Sequence, residues 1–245
     1  VRIARTYKKK DKVLFCGYHG WSDWYISANL KNTNKLNEHL LPGVSSSGVP
    51  KSLGGLTIPF EFNNEKDFKI KFKKYLKTLS CVILEPARTM HCDLKFIKTI
   101  RKYCSIYNIP LIFDEITLGW HYTLGGYHKI LNINPDIAVF SKGTTNGYPL
   151  GAIIGKKKIM NAALESFISS AYWTENIGYA AAIAAIKYMK KNKVSSKLRL
   201  KGKKIKKIWS ELGKENRLPL LVRGIDSLPT FSFDNKKSDE MITYF

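Results

Sequence analysis

Lys142 is the residue of this sequence whose surroundings best suit chemistry. It follows an apolar segment, residues 136–140, with the composition of a buried strand, and it precedes a turn of small residues at 143–147. No other charged residue lies between Asp136 and Lys156, whereas many lysines of this chain sit among other charges. Burial lowers the pKa of an amine and leaves the free base that Schiff-base chemistry with a carbonyl compound requires. We therefore predict that Lys142 lies on the floor of a cavity and reacts there. An ordinary loop lysine is the alternative that this segment alone leaves open.

Asp114 is the second candidate, at the end of another apolar segment, residues 110–113. A lysine that binds the aldehyde of a pyridine cofactor works with a carboxylate at the ring nitrogen, a flat contact for the ring and donors for a phosphate. An ionised aspartate keeps that nitrogen protonated, so that the ring withdraws electrons from the substrate carbon. Alone, Asp114 would be interpreted as a turn or helix cap, but together with Lys142 it favours cofactor binding.

The elements that must position these residues alternate along the chain. Apolar segments of strand length lie at residues 12–16, 81–84, 110–113, 136–140 and 150–154. Apolar residues recur at helical spacing over residues 65–79, 94–107, 177–190 and 195–212. This pattern predicts an α/β fold, with a mostly parallel central sheet, helices on both faces and right-handed crossovers.

In such a sheet, ligands bind beyond the carboxyl ends of the strands. The polar residues that follow the predicted strands are Tyr18, His19, Glu85, Asp114, Glu115 and Lys142. We predict that they converge on one rim of the sheet. This convergence would support the role of Lys142 independently of its own loop.

The hydrophobic pattern changes near Asn192. We predict one large domain over residues 1–192 and the start of a smaller α/β domain over residues 193–245, with strands at 219–223 and 229–233. The first residues resemble the end of an amphipathic helix, and residues 238–245 resemble the beginning of another. The sequence is therefore interpreted as a fragment of a longer protein.

Composition limits the function classes. The 245 residues include 41 Lys and Arg against 19 Asp and Glu, a net charge of +22, which would permit nucleic-acid binding. Most of these lysines fall on solvent faces of predicted helices, so solvated surfaces are favoured and no nucleic-acid partner is expected. The four cysteines form no CxxC pair, which argues against zinc. With no signal peptide and no apolar run of spanning length, we expect a cytoplasmic protein without a membrane partner.

Five segments together resemble class III pyridoxal-phosphate aminotransferases, and they occur in the order of that family. They are FCGYHGWSDW, VILEP, LIFDEITLGW, AVFSKGTTNGYPLGAIIG and YWTENIGYAAA. The likeness is greatest to glutamate-1-semialdehyde aminomutase and to related sugar- or polysaccharide-pathway aminotransferases. It covers nearly the whole chain.

The resemblance implies fold type I, pyridoxal 5'-phosphate as cofactor and a homodimer with a shared active site. It makes Lys142 the Schiff-base lysine and proton shuttle. It also implies that Asp114 pairs with the ring nitrogen and that Tyr18 and Ile116 contact the two faces of the ring. Thr174 would donate to the cofactor phosphate of the neighbouring subunit. His19, Glu85 and Glu115 would form a surrounding polar shell. For His19 a structural hydrogen bond remains the alternative.

The expected reaction moves an amino group between a small-molecule amine donor and a carbonyl acceptor. The intramolecular version, an aminomutase, uses the same residues, and a basic binding protein that keeps only the fold is the non-enzyme alternative. The chain departs from the family in having no Gly-Ser/Thr-Glu phosphate loop, in ARTMHC after VILEP, and in Gly119-Trp120-His121 where many relatives have Gly-Phe/Trp-Arg.

Overall fold

A six-stranded sheet lies at the centre of the protein, and a two-stranded hairpin follows it along the chain. The computed structural model describes residues 1–40, 42–170, 172–235 and 237–244. The strands are β1 (Lys12–Cys16), β2 (Thr57–Pro59), β3 (Leu79–Leu84), β4 (Leu111–Asp114), β5 (Ile137–Phe140), β6 (Ala152–Gly155), β7 (Leu220–Arg223) and β8 (Thr230–Phe233). The α-helices are α1 (Arg2–Lys8), α2 (Asp23–Ile26), α3 (Glu65–Tyr75), α4 (Leu94–Ile106), α5 (His128–Leu131), α6 (Lys157–Met160), α7 (Ile177–Asn192), α8 (Val194–Glu215) and α9 (Ser238–Tyr244).

The strand order is β2-β1-β3-β4-β5-β6. Every neighbouring pair from β2 to β5 is parallel, and β6 pairs with β5 in the antiparallel direction at the edge. The carboxyl ends of β1, β3, β4 and β5 therefore meet at the same edge of the sheet. This mostly parallel sheet, covered by helices, confirms the α/β fold expected from the sequence.

Alternation along the strands supplies a core on both faces of the sheet. Leu14 and Cys16 of β1 join one buried layer, whereas Val13 and Phe15 join the other. All six residues of β3 are buried. Strands covered on both sides are apolar throughout rather than alternating, which is why these segments could be recognised from composition.

Helix α4 illustrates why the covering helices form where they do. Asp93 caps its start by accepting hydrogen bonds from the backbone N–H groups of Lys95 and Phe96. The buried face then carries Ile97, Ile100 and Cys104 at helical spacing. Capping by an aspartate typically stabilises a helix by about 1 kcal/mol, and burial of the apolar face adds the larger part.

Asp136 fixes the opposite, amino-terminal edge of the sheet. Its buried carboxylate accepts a hydrogen bond from the backbone of Leu111, at the start of β4. It also pairs with Arg101 at 2.9 Å and with Lys156 at 2.7 Å. Burial alone would raise the pKa of Asp136, but the hydrogen bonds from Lys156 and the Leu111 backbone outweigh it and the pKa lies below its ordinary value. The cluster ties α4, β4 and β5 together.

Helix α8 carries the terminal hairpin. A Cβ added at Gly202 would lie 1.7 Å from the carbonyl oxygen of Asp226. Only glycine therefore allows the helix backbone to lie this close to the hairpin. The ring of Trp209 packs against Phe231 of β8. Helices α7 and α8 are separated by Lys193 alone, at the position where the sequence pattern changes. The domain boundary at 192/193 stays a prediction.

The predicted elements are confirmed to within a few residues, with two additions. β2 is too short to show alternation and ends on a proline, which an edge strand tolerates. The four-residue helix α5 has too few turns for a periodicity. Helix α6 lies in residues 156–164, which the sequence also predicts to be helical. The predicted terminal helix at 238–245 is α9, with Phe245 outside the described residues. Among the described residues, no helix is both long and apolar enough to cross a membrane.

Candidate active site

Polar residues from three strand ends meet at the carboxyl edge of the sheet. β1 ends at Cys16 and leads to Tyr18 and His19, and β3 ends immediately before Glu85. β4 ends on Asp114. The side chain of His19 bonds to Asp114, and the backbone N–H of Tyr18 donates to Glu85. The structure therefore brings these four residues together, as the strand-end argument predicts.

Lys142 stands on the first turn after β5 in an unusual backbone conformation. Its φ angle is 44°, in the left-handed region that non-glycine residues rarely adopt. Such a conformation costs on the order of 1–3 kcal/mol and is found where the surrounding structure fixes it, often at functional sites. The amine donates a hydrogen bond to Thr117 Oγ1 at 3.0 Å. The side chain is exposed among the described residues, so the expected enclosed cavity floor is not present in this part of the protein.

The lysine turn is held from two sides. Thr144 closes it by donating from Oγ1 to the carbonyl of Ser141, and it accepts a 2.9 Å hydrogen bond from Trp120 Nε1. A Cβ at Gly143 would lie 3.1 Å from His121 Nε2, so the 119–121 segment and the turn are in close contact. The Gly119-Trp120-His121 sequence that departs from the family pattern thus supports the turn that presents Lys142.

Asp114 and His19 form a buried pair. His19 Nδ1 lies 2.8 Å from Asp114 Oδ2, and His19 Nε2 lies 3.2 Å from the carbonyl oxygen of Cys16. A carbonyl oxygen can only accept, so Nε2 carries a proton. The other oxygen of Asp114 accepts from the backbone N–H of Ile116. His19 thus orients the carboxylate whether or not it takes part in chemistry.

Glu85 is buried and faces the turn after β1. It accepts from the Tyr18 N–H at 2.8 Å and lies 3.4 Å from Arg88, whose guanidinium also sits over the Tyr18 ring. Burial raises the pKa of Glu85, and the positive charge of Arg88 opposes this. A Cβ at Gly17 would lie 2.8 Å from the Glu85 carboxylate, so this approach requires glycine.

Glu115 follows Asp114 at the end of β4, but its side chain contacts the residues at the start of α5. It is fully buried, and its carboxylate accepts from the backbone N–H groups of Tyr127 and His128. The His128 ring is a third contact at 3.1 Å. These contacts favour a structural role, in which Glu115 anchors the loop that leads to α5.

Ile116 and Thr174 occupy different surroundings. Ile116 is half-buried directly after Asp114 and Glu115, beside the rim. Thr174 is exposed in a turn that precedes α7. This turn is attached to the segment after Lys142, because Tyr148 donates to Glu175 at 2.6 Å. That hydrogen bond raises the pKa of Tyr148 to about 12. The cofactor-binding roles of both residues stay predictions.

Two residues of the site were not selected from the sequence. Thr117, the contact of the Lys142 amine, follows β4 by three residues and could have been found as a strand-end hydroxyl. His39 lies in a loop without periodicity, and no sequence signal distinguishes it. It is 9% exposed, and its Nδ1 accepts a hydrogen bond from the backbone N–H of Gly17 at 3.2 Å.

Acid should destabilise the protein through His39. Burial lowers its pKa from 6.5 to about 4, the charges of His19 and Lys71 act in the same direction, and Asp67 opposes them. Between these values the unfolded chain binds a proton that the folded protein does not. The free energy of unfolding therefore has its full value above pH 6.5. It falls by about 3 kcal/mol as the pH decreases to about 4.

Urea unfolding of the full-length protein at about pH 7 and about pH 4 measures this loss. The variant His39→Asn should lose less stability than the native protein over the same interval. An equal loss in both would show that other groups carry the acid sensitivity.

The fold and the site agree with one class of protein, and comparisons with known proteins identify it. The profile of the family "Aminotransferase class-III" matches residues 1–244. The chain is 26% identical to 3-aminobutyryl-CoA aminotransferase of Cloacimonas acidaminovorans, over 100% of this chain and 56% of the relative. It is 31% identical to glutamate-1-semialdehyde 2,1-aminomutase of Wigglesworthia glossinidia brevipalpis, over 96% of this chain and 55% of the relative.

The solved structure of the FumI protein of Sphingopyxis sp. MTA144 has the same fold. It superimposes with a TM-score of 0.84 at 22% identity, over 99% of this chain and 56% of that protein. The chain belongs to the class III aminotransferase family. It spans little more than half the length of these relatives.

Proposed function

We propose that the full-length protein is a pyridoxal-phosphate-dependent aminotransferase that moves an amino group between an amine donor and a carbonyl acceptor. The observation that carries the proposal is Lys142, a lysine in a strained conformation at the rim where Asp114 ends the neighbouring strand. Family membership supports the same chemistry.

The residues present fit the cofactor in the chemistry of their donor set. Lys142 offers a primary amine whose described contact is one hydroxyl, and Asp114 offers a buried carboxylate. Tyr18 and Ile116 would contact the two faces of the ring, and Thr174 would donate to the phosphate bound in the partner subunit. Bound pyridoxal phosphate would supply an aldehyde that accepts amines and a ring that withdraws electrons from the substrate carbon.

The protein's own groups then have separate tasks. Lys142 Nζ holds the cofactor and carries a proton to and from the reacting carbon, which requires an amine that changes protonation state. Thr117 Oγ1 accepts from that amine and so fixes its direction. Asp114, oriented by His19, keeps a negative charge at the ring nitrogen.

An aminomutase is the second candidate, because one relative at 31% identity is glutamate-1-semialdehyde 2,1-aminomutase. An assay of amine donors with the full-length protein separates the two. Amino transfer from a donor to an added carbonyl acceptor supports the aminotransferase. Turnover of glutamate-1-semialdehyde with no added donor or acceptor would overturn it in favour of the aminomutase.

The full-length protein should form a homodimer. Trp173, Ile177, Tyr179 and Ile183 are exposed large apolar side chains on the turn and first half of α7. Exposed aromatic side chains are enriched at protein interfaces. The segment also carries Thr174, whose proposed contact is the partner's cofactor phosphate.

Sedimentation of the full-length protein should give the mass of a dimer, and Trp173→Asp should shift it toward monomer. Leu200→Asp on α8 is the matched control, because Leu200 and Trp173 have similar exposed fractions of 65% and 63%. A native monomer that retains cofactor would exclude the shared site.

A further inference from the structure

A cavity of about 600 Å³ lies beside the candidate site. The loops that follow β1, β2 and β3 contribute to its walls, and the lining residues used below are Gly17, Glu38, His39, Glu61, Glu85 and Arg88. Gly17 directly precedes Tyr18, and Glu85 bonds to the Tyr18 backbone. The cavity therefore adjoins the rim at the position predicted to contact the cofactor ring.

His39 provides this cavity with an unused hydrogen-bond donor. Its Nδ1 accepts from the Gly17 N–H, so the proton of the neutral ring is on Nε2. The ring is neutral at neutral pH because burial lowers its pKa to about 4. Within the described part of the chain, Nε2 has no partner, although the residue is only 9% exposed. This donor is open to the cavity rather than sealed from solvent, so water or a ligand there can accept from it.

The charges around the cavity are mostly negative, in a protein whose net charge is +22. Glu85 lies in the wall, and the exposed side chains of Glu38 and Glu61 lie at the mouth. Arg88, the one cation that the described residues contribute to the lining, is held by Glu85 and by the Tyr18 ring. A carboxylate group would meet the like charges of Glu38 and Glu61 at the mouth, whereas an ammonium group would meet opposite charges there.

We propose that this cavity binds the far end of the amine substrate, and that this end carries a hydroxyl group and a second ammonium group. The hydroxyl accepts from His39 Nε2, and the ammonium lies among Glu38, Glu61 and Glu85. The substrate class is thus a hydroxylated diamine. This inference rests on the proposed amino transfer at Lys142.

Four small probes with the same aminomethyl end test the two contacts separately. They are 1,3-diaminopropan-2-ol, 1,3-diaminopropane, 3-amino-2-hydroxypropanoate and 3-aminopropanoate. Their dissociation constants are measured by calorimetry with the full-length protein carrying Lys142→Ala, which cannot turn them over. We expect the second ammonium to improve binding about tenfold over the carboxylate, and the hydroxyl to improve it about fivefold.

Variants assign each preference to its residue. His39→Asn keeps an acceptor for the Gly17 N–H but removes the outer donor, so the hydroxyl preference should disappear. His39→Gln replaces that outer donor and should restore it. Glu38→Gln and Glu61→Gln should reduce the ammonium preference, whereas Glu211→Gln, a distant exposed carboxylate on α8, should leave the ranking unchanged.

Two results would overturn the inference. One is tighter binding of the carboxylate probes, which would assign the cavity to Arg88. The other is a hydroxyl preference that survives His39→Asn. Failure of the proposed function is a different result, because it appears as a cofactor that does not attach to Lys142 in the native protein, whatever the ranking of the probes.

Discussion

Replacing Lys142 with alanine in the full-length protein should reduce turnover by about 10⁴-fold or more, because the change removes both the nucleophilic amine and the proton carrier. Cofactor binding should largely survive, since the proposed ring and phosphate contacts come from Asp114, Tyr18, Ile116 and Thr174. Steady-state kinetics and the cofactor content of the purified protein measure the two effects separately.

Chemical labelling tests the same residue without relying on activity. Borohydride should attach the cofactor irreversibly to a peptide that contains Lys142 in the native protein and to no lysine in the alanine variant. Lys142→Arg should fail nearly as badly as alanine, because a guanidinium stays charged at every accessible pH and offers no free amine.

Lys98→Ala serves as the control, because Lys98 is an exposed lysine on α4. It should keep both turnover and labelling. Labelling of a lysine other than Lys142, or near-normal turnover in the Lys142→Ala variant, would remove the basis of the proposed site.

The grouping of the site residues could be predicted from the sequence because most of them lie at or just after the ends of parallel strands. β1, β3, β4 and β5 are short and mostly apolar, and each ends on a polar residue or has one within the next two positions. In a parallel sheet those positions must share an edge. The hydrogen bond between His19 and Asp114 joins residues far apart in sequence, and it follows from that topology rather than from any local signal.

Side-chain direction could not be predicted in the same way. Glu115 and Asp114 are neighbours in sequence, yet Asp114 bonds to His19 and Glu115 bonds to the backbone before α5. Successive side chains at a strand end point to opposite sides. Composition marks both carboxylates as candidates, and only the packed structure separates the anchor from the site residue.

Backbone conformations that depend on contacts with residues distant in sequence could not be predicted from the sequence pattern either. The left-handed backbone at Lys142 is supported by the Trp120–Thr144 hydrogen bond, and Ser195 of α8 donates to the carbonyl of Trp120. His39 became a candidate only because the fold brings it to Gly17. Such contacts depend on tertiary packing, for which a single sequence has no periodic signal.

Asp114→Asn should leave the cofactor attached to Lys142 while reducing turnover by about 10²–10³-fold, the usual size of a lost electrostatic contribution. The structure makes this a clean substitution. The amide oxygen can still accept from the Ile116 N–H, and the amide nitrogen can donate to His19 Nδ1. His19 Nε2 keeps its donation to Cys16 while Nδ1 becomes an acceptor, so neutral groups satisfy the whole network and the carboxylate charge is lost together with the proton that Nδ1 donates to it.

Two measurements on the full-length variant separate that charge from damage to the fold. Thermal unfolding should be close to native, and borohydride should still label Lys142, because neither depends on a charge at the ring nitrogen. His19→Ala is the comparison, since it leaves the carboxylate charged but without its positioning contact, and we expect it to reduce turnover less than Asp114→Asn does. If Asp114→Asn kept native turnover, or if it lost activity only in proportion to lost folded protein, Asp114 would be the turn residue that its position alone suggests, and the ring-nitrogen role would have to be given up.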